Sequence, residues 1–186
     1  MKHLMTLATS LEGLHLIKRN SIADSRGSFE RMFCQDELNS FLHSKTIQQV
    51  NRSFTVLEGT VRGMHFQHPP HSETKIVSCL KGRVWDVAID LRRGSPTFLQ
   101  WHGEVLDEKN CRSIIIPEGF AHGFQTLEAN CVMLYFHTAV YETASESAIN
   151  ALDPRIGIEW PKQIAERSER DMNHPMLPKD FSGIVL

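Results

Sequence analysis

The 186-residue chain has little cysteine, no long apolar run and almost no net charge. Its cysteines, Cys34, Cys79, Cys111 and Cys131, are widely spaced and form no CxxC pair. A disulfide framework is not expected in a chain of this size, so the thiols read as reduced and the protein as cytoplasmic. The segment Met1–Leu7 has no continuous apolar core before Ser10, Glu12 and His15, which argues against a signal peptide or a membrane span. A formal charge of −2 leaves no electrostatic footprint for nucleic acid. No internal repeat, linker or low-complexity stretch is visible. Hydrophobic residues at 41% and charged residues at 23% exclude disorder and a coiled coil. The length predicts one domain spanning residues 1–186.

What is present is a succession of short strand-like runs. From Ile47 onward the candidates are Ile47–Asn51, Thr60–Gln67, Lys75–Leu80, Val84–Leu91, Phe98–Val105, Arg112–Ile116, Gly119–Thr126 and Cys131–His137. Between them stand breakers such as Lys81-Gly82, Arg93-Gly94-Ser95-Pro96 and Glu118-Gly119. Many short strands with Gly and Pro turns predict an all-β sandwich or barrel. Upstream, alternation around Leu14 and Leu16 predicts one or two further strands, and Asp24–Gly27 reads as a tight turn. Leu38, Phe41 and Leu42 keep the i, i+3, i+4 spacing of a short helix. Lys162 to about Arg170 reads as a second helical stretch.

Chemistry concentrates in Arg62-Gly63-Met64-His65-Phe66-Gln67. In a strand, His65 and Gln67 share one face and Met64 and Phe66 the other, so one wall packs while the other lines a pocket. Asp86 and Asp90 fall on a common face of their strand, which suggests a polar interior. Further on, Pro117-Glu118-Gly119-Phe120-Ala121-His122 has the PxGxxH form of the second cupin motif, its Pro and Gly bracketing a turn that aims a histidine into a barrel. A metal cupin would use His65, Glu73 and His122. However, Gln67 occupies the position of the second histidine of an HxH pair and is a poor ligand for a soft divalent ion. Without a metal, His65 reads as a general base and Lys75 as a cation for a developing oxyanion. A tyrosine, Tyr135 or Tyr141, serves as the acid across the pocket. A base, a cation and an opposed acid are what inversion of a carbon beside a carbonyl requires, each acid–base group contributing about 10²–10⁴-fold.

Taken together, these residues resemble the sugar-nucleotide 3,5-epimerase family of the cupin superfamily, from about Asp24 to Asp171. Gln49–Ser53 resembles its QxNxS, Thr60–Gln67 its TLRGLHxQ, and Trp85–Arg92 with Gly94–Thr97 its FDVAVDLR and GSPT. Ile116–Phe124 resembles its IPEGFAHGF, Asp153–Pro161 its DPxxxIxWP, and Ser168–Asp171 its SxKD. The resemblance implies a double-stranded β-helix, the cupin jelly roll, with a few short peripheral helices. It also implies a homodimer, no metal or organic cofactor, and epimerisation at C3, C5 or both of a nucleotide-linked 4-keto-6-deoxyhexose. It makes His65 the base, Asp171 its orienting partner, Tyr135 the acid and Lys75 the enolate cation. It assigns Arg62, Gln49, Asn51 and His122 to the sugar diphosphate, and Tyr141 to the nucleotide base. Glu146 and Arg170 become further substrate contacts, as does Arg26, reaching over from a partner subunit. The chain departs from the family at Arg31, Glu73, Phe136 and Arg170, and the changes at 31 and 136 fall on the expected nucleotide end. Two alternatives stand beside this reading: the metal-dependent cupin enzyme using His65, Glu73 and His122, and a cupin that binds sugar nucleotides without catalysis.

Overall fold

The computed structural model describes residues 3–186. Its first elements are β1 (Leu4–Ala8), β2 (His15–Arg19), β3 (Ser21–Asp24), β4 (Gly27–Glu30), α1 (Gln35–Leu42), β5 (Gln49–Thr55) and β6 (Val61–Gln67). There follow β7 (Lys75–Lys81), β8 (Arg83–Asp90), β9 (Trp101–Asp107), β10 (Arg112–Ile116), β11 (Phe120–Thr126), β12 (Cys131–His137), β13 (Glu146–Ala148) and α2 (Glu169–Met172). Two antiparallel sheets carry most of them. One has the order β1-β2-β10-β7-β12-β5 and the other β13-β6-β11-β8-β9, while β3 and β4 form a separate hairpin. This is the all-β jelly roll expected from the sequence.

Alternation along each strand builds three apolar layers. In β10, Ile114 and Ile116 face inward and Ile115 outward, and in β8, Val84 and Ala88 face inward while Val87 and Ile89 face outward. The inward residues of both sheets meet Val77, Phe120, Phe124 and Met133 in a central core. Outside the six-stranded sheet, Ile17, Ile76 and Ile115 are covered by Leu38 and Leu42 of α1. Outside the five-stranded sheet, Val61, Met64, Phe66 and Ile89 are covered by the C-terminal segment through Ile156, Trp160, Ile164 and Phe181. Each fully buried side chain of this kind contributes about 1.5–3 kcal/mol.

The covering segment corrects one expectation. Residues 162–167 form no helix, and α2 is a single turn. The backbone there is satisfied by the sheet side instead: Val61 N–H donates to Glu166 O at 2.9 Å, Ala165 N–H to Gly59 O at 3.0 Å, and Lys162 N–H to Gln125 Oε1 at 3.0 Å. These bonds lay the chain extended against β6, where Ile164 packs on the sheet.

The pairing of β6 with β11 sets the site. His65 stands opposite His122, and the register shifts between His122 and Phe124. Gly63 and Gly123 face one another at that irregularity. A Cβ on Gly63 would lie 2.6 Å from the Gly123 Cα, and Gly63 has φ of 129°. Only glycine permits this conformation and this approach.

Candidate active site

Residues of both sheets line a pocket of about 380 Å³, with a recess of about 160 Å³ that shares Asn51, His65 and His137 with it. The five-stranded sheet supplies Arg62, His65 and His122. The six-stranded sheet supplies Asn51, Ser53, Tyr135 and His137, and Ser168, Arg170 and Asp171 close the side. Lys75, Glu73, Gln49, Tyr141 and Glu146 line the recess.

The His65 Nε2 lies 2.7 Å from Asp171 Oδ1. An ionised carboxylate only accepts, so Nε2 carries the proton and Nδ1 holds the free lone pair. Asp171, buried at 4% exposure, is held by its own turn: Ser168 caps α2, its Oγ accepting from Asp171 N–H at 3.0 Å. Burial would raise the Asp171 carboxyl. The hydrogen bond and charge of His65, with a contribution from Gly63 N–H, outweigh it and hold the group below the usual carboxylate value. His174 Nε2 donates to the same Oδ1 at 3.2 Å.

Across the pocket the Tyr135 hydroxyl lies 2.9 Å from Ser53 Oγ, its ring between those of His122 and His137. Burial pushes the phenol well above its ordinary pKa, and the Ser53 hydrogen bond offsets only part of that. Tyr135 therefore stays protonated at neutral pH. Lys75 Nζ lies 3.1 Å from Glu73 Oε1, and His137 Nδ1 donates to Glu73 Oε2 at 2.8 Å. Burial would raise the Glu73 carboxyl, but His137 and Lys75 together hold it low.

The fully buried Asp86 carboxylate accepts from His122 Nε2 at 2.9 and 3.0 Å. Asp86 therefore pairs with His122 and with neither Lys75 nor His65. At the mouth, Tyr141 donates to Glu146 Oε2 at 2.7 Å, Arg170 pairs with the other Glu146 oxygen, and Gln49 Oε1 accepts from Tyr141 N–H at 3.1 Å. Burial works against Glu146 ionisation, but Arg170 and Tyr141 keep its carboxyl below the ordinary value. Arg62 is steadied by Thr55 Oγ1 at 3.0 Å.

The alternative metal set needs correction. Glu73 and His122 are engaged with Lys75, His137 and Asp86, so His65, Glu73 and His122 do not converge as a metal triad. The one His/Cys/Asp/Glu cluster of ligand spacing among the described residues is His65, Asp171 and His174. Arg26 stands on the exposed β3–β4 turn, paired with Asp24 at 2.6 Å, and does not line the pocket of its own chain. Phe136 points out of the pocket and stacks on Phe33 at 5.4 Å, while Arg31 pairs with Glu37, so neither departure reaches the pocket within the chain. Sequence reasoning missed Ser53, His137, Ser168 and His174. Tyr135–His137 alternation was the only available signal for His137, and nothing local marks His174.

The chain matches the sequence profile described as dTDP-4-dehydrorhamnose 3,5-epimerase over residues 8–179. The dTDP-4-dehydrorhamnose 3,5-epimerase of Salmonella typhimurium is 38% identical over 176 residues, 94% of this chain and 96% of its own. The chain belongs to the dTDP-4-dehydrorhamnose 3,5-epimerase family. Solved structures agree. The dTDP-6-deoxy-D-glucose-3,5-epimerase of Legionella pneumophila, in complex with dTDP-4-keto-L-rhamnose, aligns with a TM-score of 0.88 at 37% identity, covering 94% of this chain and 93% of that one. A 3'-monoepimerase from Streptomyces bikiniensis, in complex with dTDP-quinovose, aligns with a TM-score of 0.84 at 30% identity, covering 90% and 85%. The motifs this epimerase shares with its family divide between site and scaffold. Gln49–Ser53 and Arg62–Gln67 line the pocket, whereas Asp90, Arg92, Ser95 and Thr97 form a structural knot. There the buried Asp90 accepts from Arg92 Nη2, Ser95 Oγ and Thr97 Oγ1 at 2.7, 2.5 and 2.7 Å.

Proposed function

We propose that this epimerase inverts C3, C5 or both of a dTDP-linked 4-keto-6-deoxyhexose through an enolate. The observation that carries the reading is the opposition of the His65–Asp171 dyad and the Tyr135 hydroxyl across one pocket. His65 Nδ1 removes the proton from the carbon beside the C4 ketone. The C–H electron pair moves into the ring and the charge onto the C4 oxygen, which Lys75 stabilises. Asp171 stabilises the imidazolium so formed. Tyr135 returns a proton from the opposite face, and the resulting phenolate is held by Ser53 and the Arg62 charge. Solvent then restores both groups, with no net redox change. Arg62 and Arg170 at the pocket mouth suit the diphosphate, with Asn51, Gln49 and His122 supplying polar contacts, Glu146 orienting Arg170 and the half-exposed Tyr141 ring suiting the thymine.

A second copy of the chain completes the proposal. The β3–β4 hairpin exposes Ile22 at 55% and Phe29 at 70%, and the edge strand β5 exposes Val50 and Phe54. Pairing of two copies through such surfaces would carry Arg26 toward the partner's pocket. Light scattering should give twice the chain mass and Arg26→Ala should raise KM. A monomer of full activity would refute the pairing. No helix among the described residues is long and apolar enough to cross a membrane, and all four thiols are free, which fits a reducing cytoplasm.

The test is NMR of dTDP-4-dehydro-6-deoxyglucose with the enzyme in deuterated water. Deuterium at C3, C5 or both is expected, and its position separates the double inversion from the single one. No incorporation at either carbon would refute the reading.

A further inference from the structure

His174 has no part in the proton transfers above, yet it aims its Nε2 at the oxygen that orients His65. His65 Nε2, Asp171 Oδ1 and His174 Nε2 all lie within 4.8 Å of one another, with Oδ1 shared between the two imidazoles. The imidazole rings are edge to face, centroids 5.4 Å apart. Two imidazoles bound through Nε2 to one tetrahedral zinc at ~2.0–2.1 Å place their centroids about 5.2 Å apart. The rings already stand at that separation. The N–O edges of 2.7 and 3.2 Å are shorter than the roughly 3.3 Å edge of such a tetrahedron, so His65 must retreat by a few tenths of an ångström. Its side chain is 33% exposed and borders the pocket, so it has room to do so. Two imidazole nitrogens and one carboxylate oxygen are also the donor set that borderline divalent ions accept while keeping a position open for water.

We infer that His65, Asp171 and His174 form an inhibitory site for a divalent transition ion such as zinc, one that locks His65 in the tautomer unable to act as base. In the metal-free dyad Nε2 carries the proton and Nδ1 the lone pair. A metal on Nε2 needs that lone pair, so the proton moves to Nδ1, the atom facing the substrate. Neither Nδ1 makes a hydrogen bond among the described residues, so both rings can accept this change. The carboxylate exchanges two N–H donors for one cation, and the fourth position goes to water. Because the ion sits on the Asp171 side of the ring, it removes the base without filling the sugar site. Inhibition should lower kcat with KM little changed.

The tautomer lock rests on His65 being the base, but the metal site does not. Zinc chloride is titrated into the full chain by calorimetry, beside His174→Ala and His65→Gln. Cobalt(II) spectra of the wild type report coordination geometry. One zinc per chain is expected, with cobalt bands of tetrahedral intensity. Each substitution should weaken binding by roughly tenfold or more, since even groups that only support a ligand are worth about 10–100-fold in affinity. Absence of stoichiometric binding, or equal affinity in His174→Ala, would overturn the site. Zinc that binds through His174 yet leaves turnover unchanged would overturn the inhibitory role and, with it, the assignment of His65 as the base.

Discussion

At the scale of single residues, the pocket sorts its titratable groups by environment. Asp171 is buried but paired, so it stays ionised, whereas Tyr135 is buried with only a neutral partner and stays protonated. In the proposed mechanism that separation suits the dyad to proton abstraction and the phenol to proton return. Asp171→Asn keeps the shape but removes the charge that supports an imidazolium. It should lower kcat about 10²–10⁴-fold, with an unchanged melting profile showing that the fold survives. His65 was legible in the sequence because alternation within β6 fixes its face, and Lys75 by its charge, whereas residue types left the acid open between Tyr135 and Tyr141 and only the family resemblance singled out Tyr135. Asp171 was legible only through the family resemblance, because its burial depends on how the C-terminal segment crosses the sheet. His174 was not legible at all, since its relation to His65 exists only once α2 docks beneath β6.

At the scale of elements, strand boundaries followed the apolar pattern where both faces are buried. Arg112–Ile116 forms as expected, and so does Cys131–His137, whose buried start carries the apolar pattern although Tyr135 and His137 face the pocket. The pattern misled where one face carries polar pocket residues: β5 runs Gln49–Thr55 rather than Ile47–Asn51, because Asn51 and Ser53 line the site instead of a core. Of the stretch read as helical, 162–170, only Glu169 and Arg170 enter α2; the rest failed for a different reason, as the backbone partners of 162–166 lie across the sheet and not four residues back. The Gly63–Gly123 contact is the element-scale device that seats His65 opposite His122. Gly63→Ala should destabilise the fold by about 2–6 kcal/mol, combining a positive-φ penalty with a backbone clash. Urea unfolding measures it, and a loss under about 1.5 kcal/mol, the usual range of well-tolerated volume-conserving changes, would contradict the close approach.

At the scale of the whole molecule, buried carboxylates tie stability to pH. Asp90, Asp171 and Glu73 each have a folded-state pKa below the ordinary value: burial opposes ionisation, but Arg92, His65 and His137 respectively outweigh it. Their stabilisation is therefore present above the unfolded values, near 3.9 for Asp and 4.3 for Glu, and is lost as pH falls through the lower folded values. Denaturant midpoints should be flat above about pH 5 from this source and drop steeply below pH 4. Asp90→Asn should cost about 1.5–3 kcal/mol at pH 7 and soften the acid transition. A midpoint that rises on acidification would contradict the pairing. The fold thus carries two kinds of buried acid, one that ties a loop and one that, in the proposed mechanism, orients the base. Deuterium exchange tests the proposed roles of His65 and Tyr135 most directly. With dTDP-4-dehydro-6-deoxyglucose in deuterated water, Tyr135→Phe should still exchange the proton beside the ketone while losing inversion, and His65→Asn should lose both. Exchange that persists in His65→Asn at the wild-type rate would contradict the assignment of His65 as the base.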